Sequence, residues 1–180
     1  MAKTYDSISP ELKGWLVRQS VFFVATAPVS ADAHINCSPK GGDTFRVLGP
    51  NEVAYLDYTG SGAETAHLRE NGRIVVMFCA FDGPPNIVRL HGRGETIIPA
   101  DPRYAALSAH FVAHPSARSI IVVRVERVSD SCGYGVPFMT FEGHRDAAEK
   151  WALAKGPEGL KKYVAEKNRV SIDGLPAFEV

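Results

Sequence analysis

The sequence predicts an α+β fold that is mainly β, a small antiparallel barrel of about six or seven strands with helices at its periphery. Short runs rich in β-branched and aromatic residues recur along the chain. Turns bearing glycine and proline separate them, and few segments carry helix start or stop signals. A length of 180 residues fits one domain, spanning residues 1–180. A domain of that size buries ~70% of the surface its unfolded chain exposes, so it needs no metal or disulfide to hold it together.

Ser9-Pro10-Glu11 offers an N-cap, a proline at the first helical position and an acidic first turn, which predicts a helix over about residues 10–19. Val21-Phe22-Phe23-Val24-Ala25-Thr26 reads as a strand, and residues 34–38 as a second one, ended by Pro39 and the Gly41-Gly42 turn. Residues 45–48 and 53–56 give two more, separated by Gly49-Pro50-Asn51. Ser61-Gly62-Ala63-Glu64 fits a capping box, with the helix stopping at Asn71-Gly72. Long strands follow over residues 73–81 and 87–98; Gly92 and Gly94 inside the second predict a bulge or a close backbone approach. Asp101-Pro102 opens a helix that His114-Pro115 closes, and residues 120–128 form a further strand. Residues 132–141 are rich in glycine and aromatics. From about residue 145 the chain reads as a helical extension to residue 180, broken at Gly156-Pro157.

Hydrophobic residues make up 45% and charged residues 22%, with 20 basic against 20 acidic side chains. That balance excludes a disordered, collagen-like or transmembrane chain and argues against nucleic acid as the partner. The first residues lack the apolar core of a secretory signal, and Cys37, Cys79 and Cys132 form no C-x-x-C, so a cytoplasmic protein with reduced thiols is expected.

Two segments carry candidate chemistry. Asn36-Cys37-Ser38-Pro39-Lys40-Gly41-Gly42 ends a strand in hydroxyl, cation and bare backbone. Asp57-Tyr58-Thr59-Gly60-Ser61-Gly62-Ala63-Glu64-Thr65 is a glycine-rich turn into a helix, with unpaired amides and the positive end of a dipole. Together they would suit a phosphate monoester, although the spacing is neither a Walker loop nor G-x-G-x-x-G. The alternative is a solvated Lys40 and a Ser61 that only caps its helix. Glu64 fits a capping role better than acid–base catalysis. His110 and His114 would share one helical face, but they lack the glutamate of H-E-x-x-H and any third ligand, so no metal site is expected. No nucleophile–base pair is legible, and catalytic residues stay unassigned.

These segments resemble the FMN-binding split-barrel superfamily of pyridoxamine 5'-phosphate oxidase-like proteins, in its branch of predicted flavin-nucleotide-binding proteins. The resemblance lies in residues 36–41, 55–62, 64–73, Met77-Phe78 and Arg89-Leu90-His91-Gly92. It extends to Cys132-Gly133-Tyr134-Gly135-Val136-Pro137 and Ser171-Ile172-Asp173-Gly174-Leu175-Pro176. It implies a split barrel and a homodimer with an FMN site at each subunit interface, acting on a small-molecule substrate or electron donor.

Carried over by position, Lys40 and the turn Ser61, Gly62, Glu64 and Thr65 would face the phosphate. Asn36, Ser38, Tyr58 and Thr59 would line the flavin or ribityl chain. Arg89 or His91 would approach the ring, with Arg89 a candidate to stabilise negative charge at its pyrimidine edge. The resemblance implies an FMN-dependent oxidoreductase, with a non-catalytic flavin- or haem-binding module as the alternative. Two departures stand out. Ala63-Glu64 occupies the place of an Arg-Lys pair in characterised oxidases, and the C-terminal Arg-x-His substrate motif is missing, which argues against vitamin B6 phosphate as substrate.

Overall fold

A computed structural model describes residues 3–178. The elements run β1 (Thr4–Tyr5), α1 (Pro10–Val17), β2 (Val21–Thr26), β3 (Asn36–Gly41), β4 (Phe45–Gly49), β5 (Glu52–Tyr58), α2 (Ala63–Asn71), β6 (Arg73–Cys79), β7 (Ile87–Ile97), α3 (Tyr104–Ser108), β8 (Ala117–Ser131) and α4 (Ala147–Lys167). Seven strands form one antiparallel path, β3-β2-β6-β7-β8-β5-β4, and the two-residue β1 joins it against β8.

The sheet is curled rather than flat. Phe22 of β2 and Phe45 of β4 lie far apart along the strand order, yet their ring centroids are 5.4 Å apart, and Phe78 of β6 packs against both. The bend is built into β7. Its register against β8 shifts between His91 and Gly92, and a Cβ at Gly92 would sit 2.1 Å from the Arg124 carbonyl oxygen. The glycines thus mark a bulge, as expected, and a bulge strengthens the local twist that turns one end of a sheet over the other. The inner face carries Phe22, Val24, Tyr55, Val76, Phe78, Val88 and Leu90, all buried. The result is a half-barrel whose two ends, β3 and β4, face each other across a seam with no strand pairing between them among the described residues. The fold is a split-barrel α+β fold.

Several expectations are corrected in detail. Pro39 does not end its strand: β3 continues to Gly41, because β3 is an edge strand and the missing amide of Pro39 faces no neighbour. Helix α2 is capped by the backbone of Gly62 with no side-chain cap bond, so the Ser61–Glu64 capping box does not form. The expected helix to His114 shrinks to the five residues of α3, leaving His110 exposed and His114 stacked on Tyr58 at 4.1 Å, so the two imidazoles share no helical face. Helix α4 breaks at Gly156 (φ 65°), as its Gly-Pro pair predicts, with Trp151 and Tyr163 packed edge-to-face across the break. The extension is not helical throughout. From Asn168 the chain leaves the helix and folds back against α2, where Ala177 and Phe178 pack with Ala66.

Candidate functional site at the barrel seam

The seam brings β3, β5 and the start of α2 together. Along β3 the side chains alternate, with Asn36, Ser38 and Lys40 half-buried and Cys37 and Pro39 exposed. Lys40 pairs in register with the buried Phe22, so this polar row points to the barrel interior. There Lys40 Nζ lies 3.1 Å from Asp57 Oδ1 of β5 and 3.3 Å from Glu64 Oε2 of α2. The far oxygen of Asp57 accepts from Arg118 Nε at 2.7 Å and from the Ser119 hydroxyl at 3.2 Å. Glu64 Oε1 accepts from the Tyr55 hydroxyl at 2.6 Å. Two cations and two carboxylates thus form one buried cluster, with Asp57 at 1% and Glu64 at 3% exposure.

Burial by itself would lower the Lys40 pKa, but the charges of Asp57 and Glu64 outweigh it and raise the value. Burial would raise Asp57, and Lys40 and Arg118 together hold it below the usual carboxylate range. Glu64 goes the other way. Burial pushes its pKa up, Lys40 opposes this, and the charge of Asp57 adds to the rise. Burial, with Glu64 alongside, also drives Tyr55 well up, so Tyr55 acts as a donor.

The glycine turn is joined to this cluster through Arg118, which donates to the carbonyl oxygen of Ser61 at 2.7 Å and to Asn168 Oδ1 at 2.7 Å. The Asn168 amide in turn donates to the Gly60 carbonyl. Gly62 has an ordinary φ of −92°, but a Cβ there would lie 2.9 Å from the Asn168 oxygen and 3.0 Å from Ala177 Cβ. Its bareness serves the close approach of residues 168–178. The same segment accepts a bond from Arg69 at the Ala177 carbonyl and reaches His34, just before β3, through both oxygens of Asp173.

Of the residues singled out in the sequence, Lys40 and Glu64 are in direct contact, Asn36 and Ser38 lie on the same strand face, and Ser61 is linked through Arg118. Thr65 is buried, 3.3 Å from the Thr96 hydroxyl, and lines a cleft of about 270 Å³ with Arg69, Ile98, Ala177 and Phe178. Tyr58 and Thr59 sit at the end of β5, Tyr58 against His114 and Thr59 bonded to the Ser116 carbonyl. Arg89 is not brought to this group. It pairs with Met77 on the sheet face turned away from the core and donates to Ser131, and His91, two residues on, shares that face.

Arg118, Asn168, Tyr55 and His67 escape sequence reasoning. Arg118 and Asn168 lie 61 and 111 positions beyond Asp57; the β5–β8 pairing brings the first back, and the fold of the chain after α4, bonded to Arg118 and Gly60, brings the second. His67 could have been suspected, because it stands one helical turn from Glu64. Its ring is 1% exposed; Nδ1 lies 3.0 Å from the Thr26 hydroxyl, and Nε2 has no partner. Asn36 Nδ2 is likewise buried and unpartnered, and Asn36 stands opposite Thr26 in the β2–β3 register.

Fold and site together define a split-barrel protein whose seam is closed by a buried cluster of opposed charges. The family model for pyridoxamine 5'-phosphate oxidase matches residues 8–132. The protein ustO of Aspergillus flavus, described as a pyridoxamine 5'-phosphate oxidase family protein, is 40% identical over 194 residues, covering 97% of this chain and 77% of its own. This chain belongs to the pyridoxamine 5'-phosphate oxidase family. Among solved structures, HupZ of group A Streptococcus superposes with a TM-score of 0.53 at 21% identity, over 67% of this chain and 91% of that one. A Lactobacillus delbrueckii protein named for the same oxidase gives 0.52 at 19% identity, over 69% and 94%. At such identities the likeness concerns the fold alone.

Proposed function

We propose that this protein binds FMN at the barrel seam, as a cytoplasmic homodimer with a site at each subunit interface, and exchanges electrons between the flavin and a small molecule. One observation carries the proposal: buried polar atoms without a hydrogen-bond partner, Asn36 Nδ2 and His67 Nε2, with Glu64 Oε2 held only by its ion pair to Lys40, gather on the two elements that the family resemblance assigns to the cofactor. Each unpaired buried polar group is costly by about 1–3 kcal/mol, and a ligand rich in hydroxyls and phosphate oxygens is suited to relieve them. In this reading Lys40, Ser61, Gly62, Glu64 and Thr65 hold the phosphate end. Asn36, Ser38, Tyr58 and Thr59 face the ribityl chain and ring, and Arg89, on the outer face of the sheet, serves the partner's site. The flavin would supply the hydride and electron chemistry, and the protein orientation and electrostatics.

The homodimer is supported by size and surface. Two clefts of this chain, beside α1 and beside α2, hold about 260 and 270 Å³, below the ~300–1,000 Å³ of a pocket that encloses a ligand of this class. A second wall would complete such a pocket, and Tyr134, Phe138, Met139 and Phe141 stand exposed in residues 132–141 to form one. The direct test is the absorption spectrum of the purified protein, followed by titration with FMN and turnover with nicotinamide donors, quinones and vitamin B6 compounds. Flavin bands and tight FMN binding are expected. A haem spectrum, or a colourless protein that ignores added FMN, would overturn the proposal, and inactivity across the panel would remove its electron-transfer half.

A further inference from the structure

We infer that Glu64 couples anion binding at the seam to the uptake of one proton, so that the phosphate end of the ligand enters beside Lys40 as the Glu64 carboxylate becomes a carboxylic acid. This rests on the FMN reading above and deepens it.

Lys40 is not waiting for an anion. Its ammonium already lies between Asp57 Oδ1 at 3.1 Å and Glu64 Oε2 at 3.3 Å, and its side chain is 18% exposed. The two carboxylates are held differently. Asp57 has a second cation, Arg118, at 2.7 Å, and a hydroxyl from Ser119, both on Oδ2, so its charge stays countered when Lys40 turns to a phosphate, at the cost of the one hydrogen bond to Oδ1. Among the described residues, Glu64 has only Lys40 for a cation. Its Oε1 takes the Tyr55 hydroxyl, while Oε2 lies near Lys40 without a directed hydrogen bond.

With both carboxylates ionised, Lys40, Arg118, Asp57 and Glu64 sum to zero, so a phosphate dianion meets no net attraction and an adjacent carboxylate. Adding one proton at Glu64 Oε2 makes the cluster a cation. Lys40 is then released to the phosphate oxygens, and the new hydroxyl can donate to them as well. The proton comes from solvent and no other bond changes. The groups facing Glu64 are Lys40 from β3 and Tyr55 and Asp57 from β5; Arg118 of β8 stands behind Asp57, and His67 one turn along α2. Burial, opposed by Lys40 and aided by Asp57, already raises the Glu64 pKa, so the same geometry favours a proton on this carboxylate over Asp57.

The test is calorimetric titration of the intact protein with FMN, at matched pH in buffers of different ionisation heat, from about pH 7 to 9, where the phosphate (second pKa about 6) is a dianion throughout. Riboflavin, which lacks the phosphate, is the control. The expected result is proton uptake that rises with pH toward about one per FMN, with affinity falling by up to tenfold per pH unit. Riboflavin takes up none. Glu64→Gln, which keeps an acceptor for Tyr55, should bind FMN without proton uptake and with little pH dependence, and more tightly than the native protein at the alkaline end. FMN binding by the native protein with no uptake across this range would overturn the coupling and leave the flavin reading standing. Equal uptake in Glu64→Gln, or with riboflavin, would overturn it too. No FMN binding at all would overturn both.

Discussion

Asp57 shows how a single residue holds the seam. It is buried, and its two oxygens take up Lys40 from one end of the sheet and Arg118 from another strand. Arg118 then spends its remaining donors on Asn168 and the Ser61 carbonyl. Lysine at 118 could not reproduce that fork. Arg118→Lys is therefore expected to destabilise the protein by about 2–4 kcal/mol, as for a buried charge left partly unpaired, read as a shift in the urea midpoint at constant slope. Glu64 should act in the opposite sense. Its folded pKa lies above the ordinary ~4.3, so the native state binds more protons than the unfolded one, and this group lowers stability as pH rises from ~4.3 through its raised value. Glu64→Gln is expected to flatten that decline, visible as a melting temperature that falls less than the native protein's between about pH 4.5 and 8. The sequence shows these residues but not their pairing. Ser61 and Glu64 have capping-box spacing, yet the Glu64 carboxylate turns inward, because Tyr55 and Lys40 offer more than an exposed amide can. No local pattern distinguishes the two outcomes.

At the scale of elements, the legible parts are those that local chemistry decides. Helix α1 starts at Ser9-Pro10, with the serine hydroxyl accepting from the Leu12 amide. The β7 bulge falls at Gly92, and the α4 break at Gly156. Pro39 misleads because a proline stops a central strand but not an edge, and edge position is a property of the whole sheet. The segment after α4 misleads for a related reason. Residues 168–178 carry little pattern of their own and take their shape from the glycine turn beneath them. Gly62→Ala probes that dependence. The added methyl would press on the Asn168 oxygen at 2.9 Å and Ala177 at 3.0 Å, which should lift the segment while leaving the half-barrel intact. Limited proteolysis should then cleave after residue 167 several-fold faster, with a modest drop in melting temperature. Gly135→Ala, whose Cβ would meet nothing within 4 Å, should leave both unchanged. Equal cleavage rates would show that the segment does not depend on the turn.

For the whole molecule, the proposed dimer predicts that a second copy completes the flavin site. A curled sheet with a split seam carries its polar row on the edge strand β3, half-buried and turned toward the half-barrel interior. The clefts beside α1 and α2, about 260 and 270 Å³, are each too small to enclose a three-ring cofactor. Meanwhile Phe138 is 82% and Tyr134 83% exposed, an apolar surface that water disfavours at roughly 25 cal/mol per Å². A second copy answers both deficits at once if these residues cover its partner's seam. Dimer formation and FMN affinity must then be linked: a ligand that binds only the dimer stabilises the dimer by mass action. Sedimentation of the native protein should show a dimer that tightens when FMN is added, and FMN should be released on dilution as monomer appears. The double variant Phe138→Glu and Phe141→Glu should sediment as a monomer, keep its far-ultraviolet circular dichroism and bind FMN at least tenfold more weakly. A monomeric variant with native FMN affinity would break the link and require this chain to enclose the flavin alone, which means residues 168–178 or α4 must move to make room.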